Sequence, residues 1–382
     1  MTVRVNKSAF NIREKLSELE RPIGVKGNEL MRAETAQDAR DLVSAGRKNL
    51  LINGHMLVDQ RSDGSSTTPS TTSFTSVDRW KAVIFPVSAF SMQRKTDGTV
   101  PGLPYYLRVT TVVATSSPTY ELVWQPIEAR NMFDQTAFGY AGAKDLSLSF
   151  WVRSSIPGPF SGALENQSQS QAYVWEVNID QANTWEYKTV RIPGNPSGSW
   201  NPASTSAAAY LMFSMGTSYQ GTPNSGWVGS QKLGSTTEVK RIQTLGATLD
   251  LTGVQLEVGK NATEFEYRSY GEELALCQRY YWQTPTGVSY NQVFTGFCST
   301  TTNSVILTVN PVEMRIPPVI STSGSWQVID ENAHNVTSFN YESMSRLTGR
   351  LNCTTTGLTV GRGNISRNNS DTSATIRFIA EL

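Results

Sequence analysis

Two hydrophobic periods divide the chain. Between Ser8 and Pro22, the residues Ile12, Leu16 and Leu19 recur at i, i+4 and i+7, the spacing of one helical stripe. Ser8 suits an N-cap, and Pro22 ends the segment. A second helix is expected over Ala36–Ala45, with Thr35 and Asp38 as a capping-box-like start and Gly46 as the C′ stop. Isolated helices of this length are marginal in water, so both must dock on the next domain, on copies of themselves or on a partner.

After residue 48 the period changes to two. Leu146, Leu148, Phe150 and Val152 alternate with Ser147, Ser149, Trp151 and Arg153. The sets Tyr105/Leu107/Val109, Tyr120/Leu122/Trp124 and Tyr173/Trp175/Val177/Ile179 read the same way, as half-buried strands. Asn49–Gln60 reads as an apolar strand opening this region. In Leu249–Val258 the apolar parity shifts between Leu251 and Val254, which a bulge at Thr252-Gly253 would correct. Turn clusters separate the strands, as in Arg61–Pro69, Pro193–Pro202 and Gly221–Gly226. One helical piece, Tyr270–Tyr281, places Leu274, Cys277 and Tyr281 at i, i+3 and i+7, and strand signals resume at 305–309, 326–328 and 376–382. The fold expected is mainly β, in three parts. These are an N-terminal helical segment (1–48), an antiparallel β-sandwich of the jelly-roll type (49–270), and a short linker helix with a smaller C-terminal β-domain (271–382).

Composition sharpens the boundary. About 35% of residues 1–48 are charged, against about 14% afterwards. With 33 basic and 32 acidic residues the net charge is +1, too little to displace the counterions of a nucleic acid. No apolar run reaches the ~18 residues of a membrane span, and the polar start lacks a signal-peptide core. The three cysteines, Cys277, Cys298 and Cys353, match neither a disulfide framework nor a zinc pattern and read as buried small hydrophobes.

Several stretches resemble one group of proteins. Gly27–Gly46 resembles a connector of tail fibres of tailed bacteriophages. Asn49–Arg61, with Ser76–Trp80, looks like the opening of phage virion structural proteins that carry a carbohydrate-binding-module-like jelly roll. Leu251–Tyr270, running into Glu272–Tyr281, is similar to the end of that module, and Pro311–Pro318 to a phrase of the same proteins' C-terminal domain. The resemblance covers about a fifth of the chain. It implies a virion fibre protein, assembled in the host cytoplasm, attached through residues 1–48 to tail, adaptor or capsid proteins, and presenting β-domains to a host cell-surface glycan. Phage fibres of this kind are homotrimers. A capsid decoration or neck protein without receptor binding, and a depolymerase of surface polysaccharide, are the alternatives.

Chemistry is sparse. The only histidines are His55 and His334, and no Gly-x-Ser-x-Gly elbow, His-Glu-x-x-His or phosphate loop is present. A non-enzymatic role is expected. No cofactor is required, although Glu257, Glu264 and Glu266 could supply a structural calcium site. Asp78 and Arg79 read as a strand-edge ion pair covered by Trp80. Trp124, Trp151, Trp175 and Trp185 belong on a core or sheet face. Trp200 and Trp227 lie in Gly/Pro/Ser turns, with Tyr219 close to the second, and are the glycan-binding candidates. A sugar ring, a neighbouring subunit or local packing could cover them. If the N-terminal helices assemble three chains, light scattering should give about three times 42.0 kDa, and deleting residues 1–48 should abolish that state. A monomer with the full N-terminus would contradict it.

Overall fold

The computed structural model describes residues 48–85, 89–200 and 204–382, so the helices expected before residue 48 lie outside the described residues. Fourteen strands build the first part. They are β1 (Ser73–Phe74), β2 (Lys81–Phe85), β3 (Phe90–Lys95), β4 (Tyr106–Thr111), β5 (Tyr120–Glu128), β6 (Leu146–Ser154) and β7 (Gly158–Asn166). Then follow β8 (Ala172–Ile179), β9 (Glu186–Ile192), β10 (Ala207–Thr217), β11 (Gln220–Gly221), β12 (Trp227–Val228), β13 (Gly234–Ser235) and β14 (Thr248–Val258). One sheet runs β1-β2-β5-β10-β7-β8-β12 and the other β3-β4-β14-β6-β9, both with antiparallel pairing.

The period-two reading explains the core. Leu146, Leu148, Phe150 and Val152 of β6 and Leu249, Leu251, Val254 and Leu256 of β14 all point between the sheets, against Phe160, Trp175 and Phe213. In β14 the register shifts between Thr252 and Gln255, and Gly253 adopts φ +59, so the bulge keeps both apolar pairs inward. Two differences stand out. A short helix, α1 (Ala129–Thr136), interrupts the sandwich without a side-chain cap, turning Ala129, Met132 and Thr136 inward. Asn49–Gln60 is not a strand. It is a buried loop with Asn53 and Met56 at positive φ, its backbone satisfied largely by side chains. Gln125 bonds both Ile52 N–H and Ile52 C=O at 2.8 Å, and Asn53 donates to Val58 O and Asp78 O. The hydrophobic run signalled burial correctly. The polar residues that replace a ladder partner are distant in sequence.

Beyond Val258, helix α2 (Tyr270–Gln278) starts with a capping box, Ser269 and Glu272. It leads to β15 (Tyr281–Gln283), β16 (Gln292–Cys298), β17 (Asn303–Val309), β18 (Val319–Ser323) and β19 (Trp326–Ile329). The last strands are β20 (Ala333–Asn335), β21 (Ser338–Met344), β22 (Thr348–Thr354), β23 (Gly363–Asn368) and β24 (Thr375–Ile379). They form sheets β15-β24-β18 and β20-β19-β23-β16-β17-β22-β21 around Trp282, Phe378, Trp326 and Ile376. The protein is therefore mainly β, with antiparallel sheets. All three cysteines are free and buried.

Residues 49–382 pack as one unit, and buried charges fasten the C-terminal lobe to the sandwich. Asp78 and Arg79 do not pair with each other, contrary to the sequence expectation. Both lie in a turn rather than a strand, with Arg79 at φ +73, and each finds its own partner. Asp78 meets Arg61 at 3.0 Å, while Glu381 joins Arg61 at 2.7 Å and also pairs with Arg79. The two guanidinium groups stack 3.6 Å from the ring centroids of Tyr281 and Tyr280. Glu128 adds a second tie, to Arg279 and the Tyr280 hydroxyl, each at 2.7 Å. Burial pushes the Asp78 carboxyl up to about 6, against the pull of Arg61. Removing one member of such a group strands a buried charge. Glu381→Gln should destabilise the protein by about 3–5 kcal/mol in denaturant titration. A variant as stable as the parent would show that the pairing contributes nothing.

Candidate functional site

The seven-stranded sheet of the sandwich, β1-β2-β5-β10-β7-β8-β12, is apolar on both faces. Val123, Leu164, Leu211 and Phe213 face the core, so their sequence neighbours face outward. The outer set is Leu122, Met212 and Ala163 at its centre, with Tyr120, Trp124 and Tyr210 half-buried around them. The segment after β10 folds back across this face. Leu233 N–H donates to Tyr219 O at 2.8 Å, and both side chains join the patch. Two aromatic pairs result. Trp124 and Tyr210 lie parallel, with centroids 4.7 Å apart and 13° between planes. Tyr120 stacks on Tyr219 at 5.0 Å, and their hydroxyls are 3.1 Å apart. Phe85, 56% exposed, leans on Tyr120.

Polar groups flank the rings. Lys81 Nζ lies 5.7 Å from the Trp124 ring centroid and 5.2 Å from that of Phe74. Glu165, opposite Tyr210 across the β7–β10 ladder, has neither oxygen hydrogen-bonded. Burial pushes its carboxyl up to about 8; Gln231 and the Lys232 N–H pull the other way without closing a hydrogen bond. At neutral pH Glu165 is thus mostly a protonated donor. Trp124 Nε1 is also buried and unpartnered. The outer face of the five-stranded sheet contrasts with this one, because Asp250 there takes Arg108 and Arg153, each at 2.8 Å. One face pairs its charges, and the other leaves buried polar atoms without a partner beneath the stacked rings. Aromatic planes receive the C–H face of a ring ligand.

Of the sequence candidates, only Tyr219 lies on this face. Trp200 is 2% exposed, 4.9 Å edge-on from Phe138, with Nε1–H donating to Ser197 O at 2.9 Å. Trp227 is half-buried, 5.4 Å from Trp200 and 5.7 Å from both Phe138 and Tyr173. Its Nε1–H donates to Pro193 O at 2.8 Å. The two indoles do meet, but as a plug closing one end of the core rather than as rings on loop tips. Local packing covers them. Gly139 permits this closeness, since a Cβ there would lie 2.9 Å from Gly198 O and 3.1 Å from Trp200 Cδ1.

The calcium expectation is also corrected. Thr263 N–H and its hydroxyl donate to Glu257 at 2.8 and 2.7 Å, and Asn49 N–H and Arg268 donate to Glu266 at 2.6 and 2.8 Å. These carboxylates serve protein donors. Among the described residues no group of three or more His, Cys, Asp or Glu side chains could hold a metal ion.

Trp124, Tyr210, Tyr120, Lys81 and Glu165 escaped sequence reasoning as site residues. One signal was present: β5 is apolar at both parities, Leu122 and Trp124 against Val123 and Ile127, so both its faces had to be covered.

No known protein family and no curated protein matches the chain. Among solved structures it is similar to a protein named as sugar binding from Bacteroides thetaiotaomicron, at 10% identity and TM-score 0.34, over 56% of this chain and 100% of that one. It is similar to the enzymatically active domain of tailspike protein 4 from bacteriophage CBA120, at 13% identity and TM-score 0.30, over 55% of this chain and 21% of that one. A family 11 carbohydrate-binding module from Clostridium thermocellum gives 12% identity and TM-score 0.24, over 48% of this chain and 91% of that one.

Glu165 makes stability pH-dependent. Its folded pKa lies above the ordinary 4.5, so its contribution is complete below pH 4.5 and is lost as pH rises toward about 8. Glu165→Gln should flatten the fall in melting temperature between pH 5 and 8 and gain at least ~1 kcal/mol at pH 8. An unchanged pH profile would place the carboxyl in water.

Proposed function

We propose that this chain is a non-enzymatic fibre protein of a tailed-phage virion that recognises a host-surface glycan on the outer face of its seven-stranded sheet. The observation that carries the reading is the pairing of Trp124 with Tyr210 and of Tyr120 with Tyr219 on the outer face of the sheet. The phage assignment is supported by the tail-fibre-like connector at Gly27–Gly46 and the module-like phrases at Asn49–Arg61 and Leu251–Tyr270. In this reading residues 1–48 attach the chain to the particle and assemble it as a homotrimer. Each aromatic platform contributes only on the order of 1 kcal/mol beyond area burial, and three copies raise the avidity through effective concentration.

Two observations support a binding role over a hydrolytic one. A glycosidase needs two carboxyl groups flanking one bond. The two sandwich acids without partners, Glu121 and Glu165, cannot serve, because alternation turns Glu121 to the core side of β5 and Glu165 to the outer side of β7. In the C-terminal lobe Cys298 and His334 share the Asp330 carboxylate, at 4.0 and 2.9 Å, so the imidazole is engaged by the acid rather than by the thiol.

Trp124→Ala should weaken host-cell binding at least ~5-fold per site while the melting temperature changes little. Trp200→Ala should do the reverse, costing about 3–5 kcal/mol of stability with binding per folded molecule unchanged. Parental binding by the Trp124 variant would overturn the assignment of this face.

A further inference from the structure

Where the two lobes meet there is a cleft of about 560 Å³, with Arg61, Phe74, Lys81, Tyr281, Arg377 and Glu381 on its walls. The sandwich supplies the β1–β2 edge. The C-terminal lobe supplies β15 and β24, where Tyr281 sits opposite Ile379 and Gln283 opposite Arg377.

Its charges do not balance. Glu381 is already held between Arg61 and Arg79, and Arg61 also takes Asp78. Among the described residues, Lys81 and Arg377 meet no carboxylate. The Lys81 ammonium rests instead against the rings of Phe74 and Trp124, and Arg377 bonds the Tyr281 side chain. Burial holds Lys81 below the ordinary lysine range, although the Glu381 carboxylate pulls the other way. Thr75 Oγ1, on the same wall, is buried and unpartnered. Two cations and an open hydroxyl in a low-dielectric cleft attract an anion. Lys81 also links the cleft to the aromatic platform, because its ammonium touches Phe74 on one side and Trp124 on the other.

We propose that the cleft between Lys81 and Arg377 seats the anionic group of an acidic sugar, while further rings of the same polysaccharide lie over Trp124 and Tyr210. The proposal rests on the glycan-binding reading of the outer face and adds the substrate class. The Arg377 fork matches two oxygens of one carboxylate or sulfate, Lys81 adds a point charge, and the Thr75 hydroxyl adds a donor. Uronate and sulfate share this chemistry and are separated by the choice of probe.

The test is calorimetric titration of the full chain with oligogalacturonates, sulfated galactan oligosaccharides and neutral laminari-oligosaccharides. A charged probe should bind more tightly than the neutral one and weaken as salt rises. Arg377→Gln should weaken the charged probe ~10-fold and leave the neutral one unchanged, and Lys81→Gln should weaken the charged probe more than the neutral one. Lys81→Arg, which keeps the charge, should retain most of the affinity, and melting curves show whether each variant is folded. The stronger of the two charged probes identifies the anion as carboxylate or sulfate. The inference is overturned if neither charged probe binds, or if charged and neutral probes bind alike, or if both glutamine variants bind as the parent does. Loss of binding to every probe in Trp124→Ala would then leave the outer-face reading standing without it. Full binding by that variant would overturn the outer-face reading itself.

Discussion

Glu381 lies just beyond the last strand of the C-terminal lobe, and its carboxylate is held between Arg61 and Arg79 of the sandwich. Burying two guanidinium groups and a carboxylate costs several kcal/mol in lost hydration, recovered only if the geometry is held closely. The structure holds it from several sides. Tyr280 and Tyr281 stack under the arginines, and Pro126 O accepts from Arg79 at 3.0 Å. Arg315 ties Ala380 O and Glu381 O back to Thr205 O. A hinge at the lobe boundary would expose these charges in unmatched positions, so the two lobes move as one body. That rigidity fixes the cleft between them and aligns it with the edge of the seven-stranded sheet.

In the proposed reading the outer face of the sandwich's β1-β2-β5-β10-β7-β8-β12 sheet takes the ligand. Its interior is closed by Phe150, Phe160, Trp175 and Phe213, and its open end by Phe138, Trp200 and Trp227. On the five-stranded sheet Asp250 pairs with both Arg108 and Arg153. Both sheets carry aromatic pairs on their outer sides; those of the five-stranded sheet, Trp151 with Tyr187 and Tyr106 with Trp185, lie beside the Asp250 cluster, and those of the seven-stranded sheet of the sandwich lie beside Lys81 and Glu165. A ring ligand there meets surface that is already ordered, which keeps the entropy cost of binding low.

Much of this was legible in the residues. Strand positions followed from period-two alternation, and the β14 bulge from the parity break at Thr252-Gly253, because both are local consequences of where apolar side chains must point. Partner choice was not legible. Asp78 and Arg79 sit side by side in sequence but answer to Arg61 and to Glu381, the latter about three hundred residues away. The site was missed for a related reason. Trp200 and Trp227 stand in Gly- and Pro-rich turns and so suggest exposure, yet a turn that folds over the end of a sandwich buries its aromatics. Trp124 stands in a strand and suggests a core, yet its parity carries it to the outer face. A single strand gives its two sets of side chains but not which set faces which sheet; that depends on pairing with β2 and β10, distant in the chain.

The outer face is tested most directly by the structure of the chain bound to an oligosaccharide released from the host surface. A sugar ring stacked beside Trp124 and Tyr210, within reach of Lys81, is the expected result. A ring seated on the C-terminal sheets, with Trp124 and Tyr210 uncovered, would contradict it.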